Sequence, residues 1–85
     1  MKSGKRCLFI HGLDSSSQGI KASHLRQLFP ALLAPDFSGS LEERMFQLSQ
    51  IIGRKRGWVL IGSSLGGLMA TYYACWHPKQ VKKMI

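Results

Sequence analysis

The chain has 85 residues, 45% of them hydrophobic and 19% charged, so it reads as one globular unit and not as a disordered segment. Twelve Lys and Arg against four Asp and Glu leave a formal charge of +8, which raises an anionic partner. No apolar run approaches a bilayer span, and the one after Lys2, Lys5 and Arg6 is too short for a secretory signal. A cytoplasmic chain with no membrane partner is therefore expected.

Arg6-Cys7-Leu8-Phe9-Ile10 is a short apolar run closed by His11-Gly12, the pattern of a strand buried on both faces. Leu13 to Gly19 is small and polar, hence a loop. Ile20, Leu25, Leu28 and Phe29 suit a helix that Pro30 ends. Ala31-Leu32-Leu33-Ala34, closed by Pro35-Asp36, reads as a second short strand. Ser40-Leu41-Glu42-Glu43 matches a capping box, in which serine and glutamate each satisfy a free amide of the helix start. Leu41, Met45, Leu48 and Ile52 then recur at helical spacing, with Phe46 and Ile51 widening the buried face.

A basic turn, Arg54-Lys55-Arg56, is bracketed by Gly53 and Gly57. Trp58 to Ile61 is a third buried strand, and Gly62 to Gly67 a turn of small residues. Leu65, Leu68, Met69, Tyr72, Tyr73 and Trp76 form a helix stripe stopped by His77-Pro78, in which Tyr72, Tyr73 and Trp76 read as core packing with wet tips rather than a ligand box. Val81 to Ile85 starts a fourth strand. This alternation predicts an α/β fold: a parallel sheet of about four strands, order 2-1-3-4, with right-handed crossover helices. Cys7 and Cys75 have neither framework nor ligand spacing, so reduced, buried thiols and no metal site are expected.

Gly62-Ser63-Ser64-Leu65-Gly66 fits G-x-S-x-G. The pattern alone is weak, but its place between a strand and a helix is what a nucleophile elbow requires. Gly62 and Gly66 let strand and helix approach closely around Ser64. The helix start adds backbone N–H groups and a positive dipole end. His11-Gly12-Leu13 leaves the end of the first strand. In the order 2-1-3-4 that strand neighbours the third, and their loops diverge at a topological switch point. The amides of Leu13 and Leu65 then converge on one oxygen as an oxyanion hole, each donor worth about 2.7–4 kcal/mol of barrier. The plain alternative is that Ser64 only caps a helix.

The segments Phe9-Ile10-His11-Gly12-Leu13-Asp14-Ser15-Ser16, Lys21-Ala22-Ser23 and Ile61-Gly62-Ser63-Ser64-Leu65-Gly66-Gly67 resemble the α/β-hydrolase superfamily, and most of all the small bacterial YqiA-like esterases. The resemblance runs through nearly the whole chain. It implies that Ser64 is the nucleophile, that Leu13 and Leu65 donate the oxyanion amides, and that His11 shapes the oxyanion loop through backbone hydrogen bonds. The His11-Gly12 loop and Ser15 to Ser17 would line the acyl or alcohol pocket. The implied function is a serine hydrolase, a carboxylesterase acting on small-molecule esters without a cofactor.

In that family the acid and the histidine base follow the nucleophile. Only His77 follows Ser64 here, at the far end of a helix, so the acid and histidine are not expected in this chain. Residues 1–85 are accordingly expected to be the N-terminal part of one hydrolase domain, inactive alone. Asp14 and Asp36 sit at strand ends as ligand-orienting or turn residues, and His24 is a helix-surface residue. The alternative function is a non-catalytic α/β module holding an anion at a helix N-terminus, although both glycine-rich phosphate motifs are missing. Arg54 to Arg56, Lys79, Lys82 and Lys83 fall on the face opposite the elbow and carry no nucleic-acid motif. They read as a solvated face, with no nucleic-acid partner.

Overall fold

The computed structural model describes residues 6–12 and 19–85. Three parallel strands, β1 (Arg6–Ile10), β2 (Trp58–Gly62) and β3 (Val81–Met84), form a sheet in the order β1-β2-β3. The helices are α1 (Ile20–Leu28), α2 (Leu41–Ile52) and α3 (Leu65–Trp76). Strands β1 and β2 pair in register from Arg6 opposite Trp58 to Ile10 opposite Gly62. The β2–β3 ladder slips between Trp58 and Val59, which leaves Lys82 without an opposite residue.

The 31–34 strand expected from the sequence is the main correction. That run contributes one parallel bridge, Leu8 opposite Leu33, instead of a fourth strand. Leu33 accepts from the Phe9 amide at 2.8 Å and donates to the Cys7 carbonyl at 2.9 Å. The next rung of a parallel ladder would need an N–H from residue 35, and Pro35 has none. On the other side, a turn closed by the Leu32 amide on the Phe29 carbonyl at 2.9 Å holds Pro30 and Ala31 away from the sheet. The bridge still lies on the edge of β1 away from β2. The chain therefore leaves β1 first one way and then the other, which makes the carboxyl ends of β1 and β2 a switch point.

Period-2 alternation sorts the strand side chains between two layers. Leu8, Ile10, Trp58 and Leu60 face α2 and α3 and pack with Leu48, Ile52, Met69 and Tyr73. Phe9, with Cys7 and Ile61, faces α1 and packs on Ala22, Leu25 and Leu32. Two stripe assignments are corrected here. Phe46 is exposed, and on α3 only Met69, Ala70 and Tyr73 reach the core, whereas Leu68, Tyr72 and Trp76 point outward. A helix lying on a sheet buries one side only, so six stripe residues exceed the available contact. Tyr72 and Trp76 stack on each other instead, with centroids 5.5 Å apart. The thiols differ too: both cysteines are free, but Cys7 is half-buried and Cys75 exposed.

Helix α2 begins with the expected capping box. Ser40 Oγ accepts from the Glu43 amide at 3.1 Å, and Glu43 Oε1 accepts from the Ser40 amide at 2.7 Å. Those bonds hold the Glu43 carboxyl below the usual carboxylate range, so their support is complete above that range and is lost as pH falls through the lowered value. At the opposite rim from Ser64, Tyr73 donates to Gln80 Oε1 at 2.9 Å, and burial raises the pKa of its hydroxyl. Gln80 Nε2 in turn holds the carbonyls of Gly53 and Lys55, which fixes the basic turn. Arg54, Lys55, Arg56, Lys79, Lys82 and Lys83 are all exposed. Among the described residues no helix is long and apolar enough to cross a membrane.

Candidate active site

Strand β2 ends at Gly62 and α3 begins at Leu65, so Ser63 and Ser64 make the whole connection. Ser64 has φ 55° and ψ −121°, the sole positive φ among the described non-glycine residues. Those angles belong to the first corner of a type II′ turn, a position normally given to glycine. The Gly66 amide closes the turn on the Ser63 carbonyl at 2.9 Å. A serine held there bears strain of order 1–3 kcal/mol, and such strain gathers at functional sites. Ser64 also makes no side-chain capping bond, although it occupies the N-cap position. An N-cap serine would adopt extended backbone and bond the amide two or three residues on. Its exposed hydroxyl is thus held out at the carboxyl rim without a capping role.

Two glycines set how closely the pieces meet. A Cβ on Gly66 would run into the Ile10 carbonyl and stand 2.9 Å from the His11 oxygen, so the first turn of α3 lies directly on the end of β1. A Cβ on Gly12 would stand 2.9 Å from Ser64 Cβ and 3.5 Å from Ser64 Oγ. The bend after β1 and the bend after β2 therefore share one rim. The Ser63 amide reinforces this by donating to the Ile10 carbonyl at 3.1 Å. Gly62 is crowded in the same way, by the Gly66 carbonyl at 2.5 Å.

His11 is buried, with its ring between two backbone groups. The Phe37 amide donates to Nε2 at 2.9 Å. A nitrogen that accepts carries no proton, so the proton is on Nδ1 and is donated to the Gly12 carbonyl, 2.6 Å away. The imidazole thereby ties the start of the bend to residue 37, and neither nitrogen is available to the Ser64 hydroxyl. His11→Ala is expected to cost about 2–4 kcal/mol, because two buried backbone groups lose their partners and a cavity opens. Urea denaturation measures this; a loss below ~1 kcal/mol would contradict the arrangement.

The Leu65 amide, at the first position of α3, has no acceptor among the described residues, as suits a helix-start N–H. Leu13, the other expected donor, lies outside the described residues, as do Asp14 and Ser15 to Ser17. His77 is the C-cap of α3, stacked on Tyr73 at 4.4 Å and a full twelve-residue helix away from Ser64. One contact had no counterpart in the sequence reading: Lys21 Nζ donates to Ser63 Oγ at 3.0 Å. Lys21 lies in the Lys21-Ala22-Ser23 segment, but nothing local ties residue 21 to residue 63. Beside this pair opens a shallow depression of about 330 Å³, lined by Phe9, Leu25, Ile61, Ile85 and His24. Among the described residues no group of three His, Cys, Asp or Glu is placed to hold a metal ion.

The fold recurs in solved structures. Alpha/beta hydrolase domain-containing protein 10 from mouse superposes with a TM-score of 0.87 and 21% identity, over 96% of this chain and 40% of that one. The structure of VrEH2 superposes with a TM-score of 0.67 and 19% identity, over 95% of this chain and 31% of that one. The chain thus has the α/β-hydrolase fold and spans less than half the length of either protein. No curated protein sequence matches it. The sequence profile of the uncharacterised protein family UPF0227 matches residues 6–81, nearly the whole chain, and the chain belongs to that family.

Proposed function

We propose that the chain carries the nucleophile and oxyanion hole of a serine hydrolase, a carboxylesterase acting on small-molecule esters. Ser64 Oγ attacks the ester carbonyl carbon, and the oxygen takes up the negative charge. The Leu65 and Leu13 amides stabilise that oxyanion. Collapse of the tetrahedral species expels the alcohol and leaves an acyl-enzyme, which water hydrolyses to the acid. Gly12 leaves room beside Ser64 for the reacting carbon, and His11 holds the Gly12 bend. The proton of Ser64 needs a base from elsewhere, because His11 is engaged on both nitrogens and His77 sits at the far end of α3. The acid and histidine are assigned to sequence outside these 85 residues, and the soluble substrate fits a cytoplasmic enzyme.

One observation carries this reading: a non-glycine residue with φ 55° places an uncapped serine hydroxyl against Gly12, above the ends of β1 and β2. A serine serving only as an anion-site cap needs no such backbone. A fluorophosphonate probe tests it on the full-length protein, with the adduct located by peptide mass spectrometry. The expected adduct is on Ser64. An unlabelled protein, or an adduct on Ser63, would overturn the assignment.

A further inference from the structure

The segment from Phe37 to Ser40 is neither helix nor strand, so its backbone groups look to side chains for partners. The Phe37 amide donates to His11 Nε2 at 2.9 Å, and His11 Nδ1 holds the carbonyl of Gly12, the residue packed on Ser64. The three residues after Phe37 are tied to α2 instead. Ser38 donates to Gln47 Oε1 at 3.1 Å and accepts from Gln47 Nε2 at 2.9 Å. The Gly39 carbonyl accepts from Arg44 Nε at 2.9 Å, and the Ser40 amide donates to Glu43 Oε1 at 2.7 Å. Gln47 makes the tie nearest Phe37 and takes both backbone groups of one residue. Such a clamp restrains both soft torsions of Ser38, so Phe37 is held between Gln47 on one side and His11 on the other. Arg44 shows that these ties are not there for stability alone. It is buried four residues after the Ser40 cap, and its Nη1 meets no acceptor among the described residues. A buried, half-satisfied cation near the positive end of a helix costs stability, and such local conflicts gather at functional sites.

We infer that Gln47 is a positioning residue of the candidate active site: through Ser38 and the Phe37 amide it orients the His11 ring, and through His11 the Gly12 bend. The bend leads into Leu13, the proposed second oxyanion donor, so its placement acts on the transition state more than on ground-state binding. That effect rests on the proposed nucleophile, whereas the hold of Gln47 on His11 does not.

The test compares the full-length protein with its Gln47→Leu, Gln47→Ala, Gln47→Glu and Gln50→Leu variants. Leucine and alanine are strong helix formers that remove both Ser38 bonds, and Gln47→Glu keeps the acceptor for the Ser38 amide. Gln50→Leu makes the same change at an exposed position of the same helix. NMR of the ring nitrogens reads the His11 tautomer, and fluorophosphonate labelling against probe concentration gives a maximal rate and a half-saturating concentration. The unaltered protein is expected to show the Nδ1–H tautomer. In Gln47→Leu and Gln47→Ala the His11 nitrogens are expected to move toward a mixture of tautomers. The maximal labelling rate falls at least about tenfold at unchanged half-saturation, as a small misplacement near a reacting group requires. Gln47→Glu is expected to keep the tautomer and most of the rate, and Gln50→Leu all of both. A merely structural role would lower Tm and leave the His11 signals of the folded protein unmoved. Unmoved signals in the Gln47 variants, an equal change in Gln50→Leu, or moved signals with an undiminished labelling rate would each overturn the inference. If His11 responds to the Gln47 variants while no protein is labelled at Ser64, the positioning stands and the nucleophile falls. Labelling of Ser64 at one rate in every variant, with His11 unmoved, does the reverse.

Discussion

Ser64→Gly is expected to abolish the proposed ester hydrolysis of the full-length protein and to make it more stable. The rate falls by about 10⁶, the loss typical of removing a serine nucleophile. Stability rises because glycine accepts φ 55° and ψ −121° freely, whereas serine pays about 1–3 kcal/mol there. Glycine loses roughly 0.5–1 kcal/mol more backbone entropy on folding, so the net gain is about 1 kcal/mol. Ser64→Ala keeps the strain and loses only the hydroxyl, and so should match Ser64→Gly in activity while gaining no stability. Thermal melts of the three proteins, run beside an esterase assay, decide the matter. If Ser64→Gly melted lower than Ser64→Ala, the strained-elbow account would fail.

Gly66→Ala is expected to be the most damaging glycine-to-alanine change among Gly12, Gly39, Gly53, Gly57, Gly62, Gly66 and Gly67. The added carbon would collide with the Ile10 carbonyl and lie 2.9 Å from the His11 oxygen. Both obstacles are backbone, so no side-chain rotation makes room. The start of α3 must lift from β1, at about 3 kcal/mol, the upper part of the overpacking range. For a domain of this size that lowers Tm by more than ~10 °C. The lift also draws Ser64 away from Gly12, so activity should fall further than stability alone explains. Gly67→Ala is the control, since the nearest atom to a Cβ there is 3.8 Å away. Two variants melting alike would show that the helix start is not pressed on the strand.

The elements that were legible in the sequence are those whose causes are local. Ser40 and Glu43 satisfy each other's amides within one turn, so the start of α2 could be read directly. Leu65 and Trp76 bound α3 for equally local reasons, a small-residue turn before it and His77-Pro78 after it. The turn at Ser64 was legible because strand, G-x-S-x-G and helix follow one another without a gap. Ala31 to Ala34 was not, because its pairing depends on which amide its neighbour needs, and Pro35 withholds the one that would extend the ladder. Phe46, Leu68, Tyr72 and Trp76 have apolar side chains at helical spacing, yet which of them is covered depends on where each helix rests.

By itself the sequence determined three strands and three helices, the capping box of α2, and the residues of the strand-to-helix turn, since propensity, capping and apolar period act over a few neighbours. Tertiary structure alone decided that the bends after β1 and β2 meet with Gly12 against Ser64. It also decided that both nitrogens of His11 are spent on backbone, and that Lys21 reaches Ser63. Apart from the His11 bond to its neighbour Gly12, those contacts join residues 26 to 52 positions apart. Only the packing of the sheet and its helices brings such residues within hydrogen-bond range, because no periodic pattern along a chain encodes a distance between two of its loops.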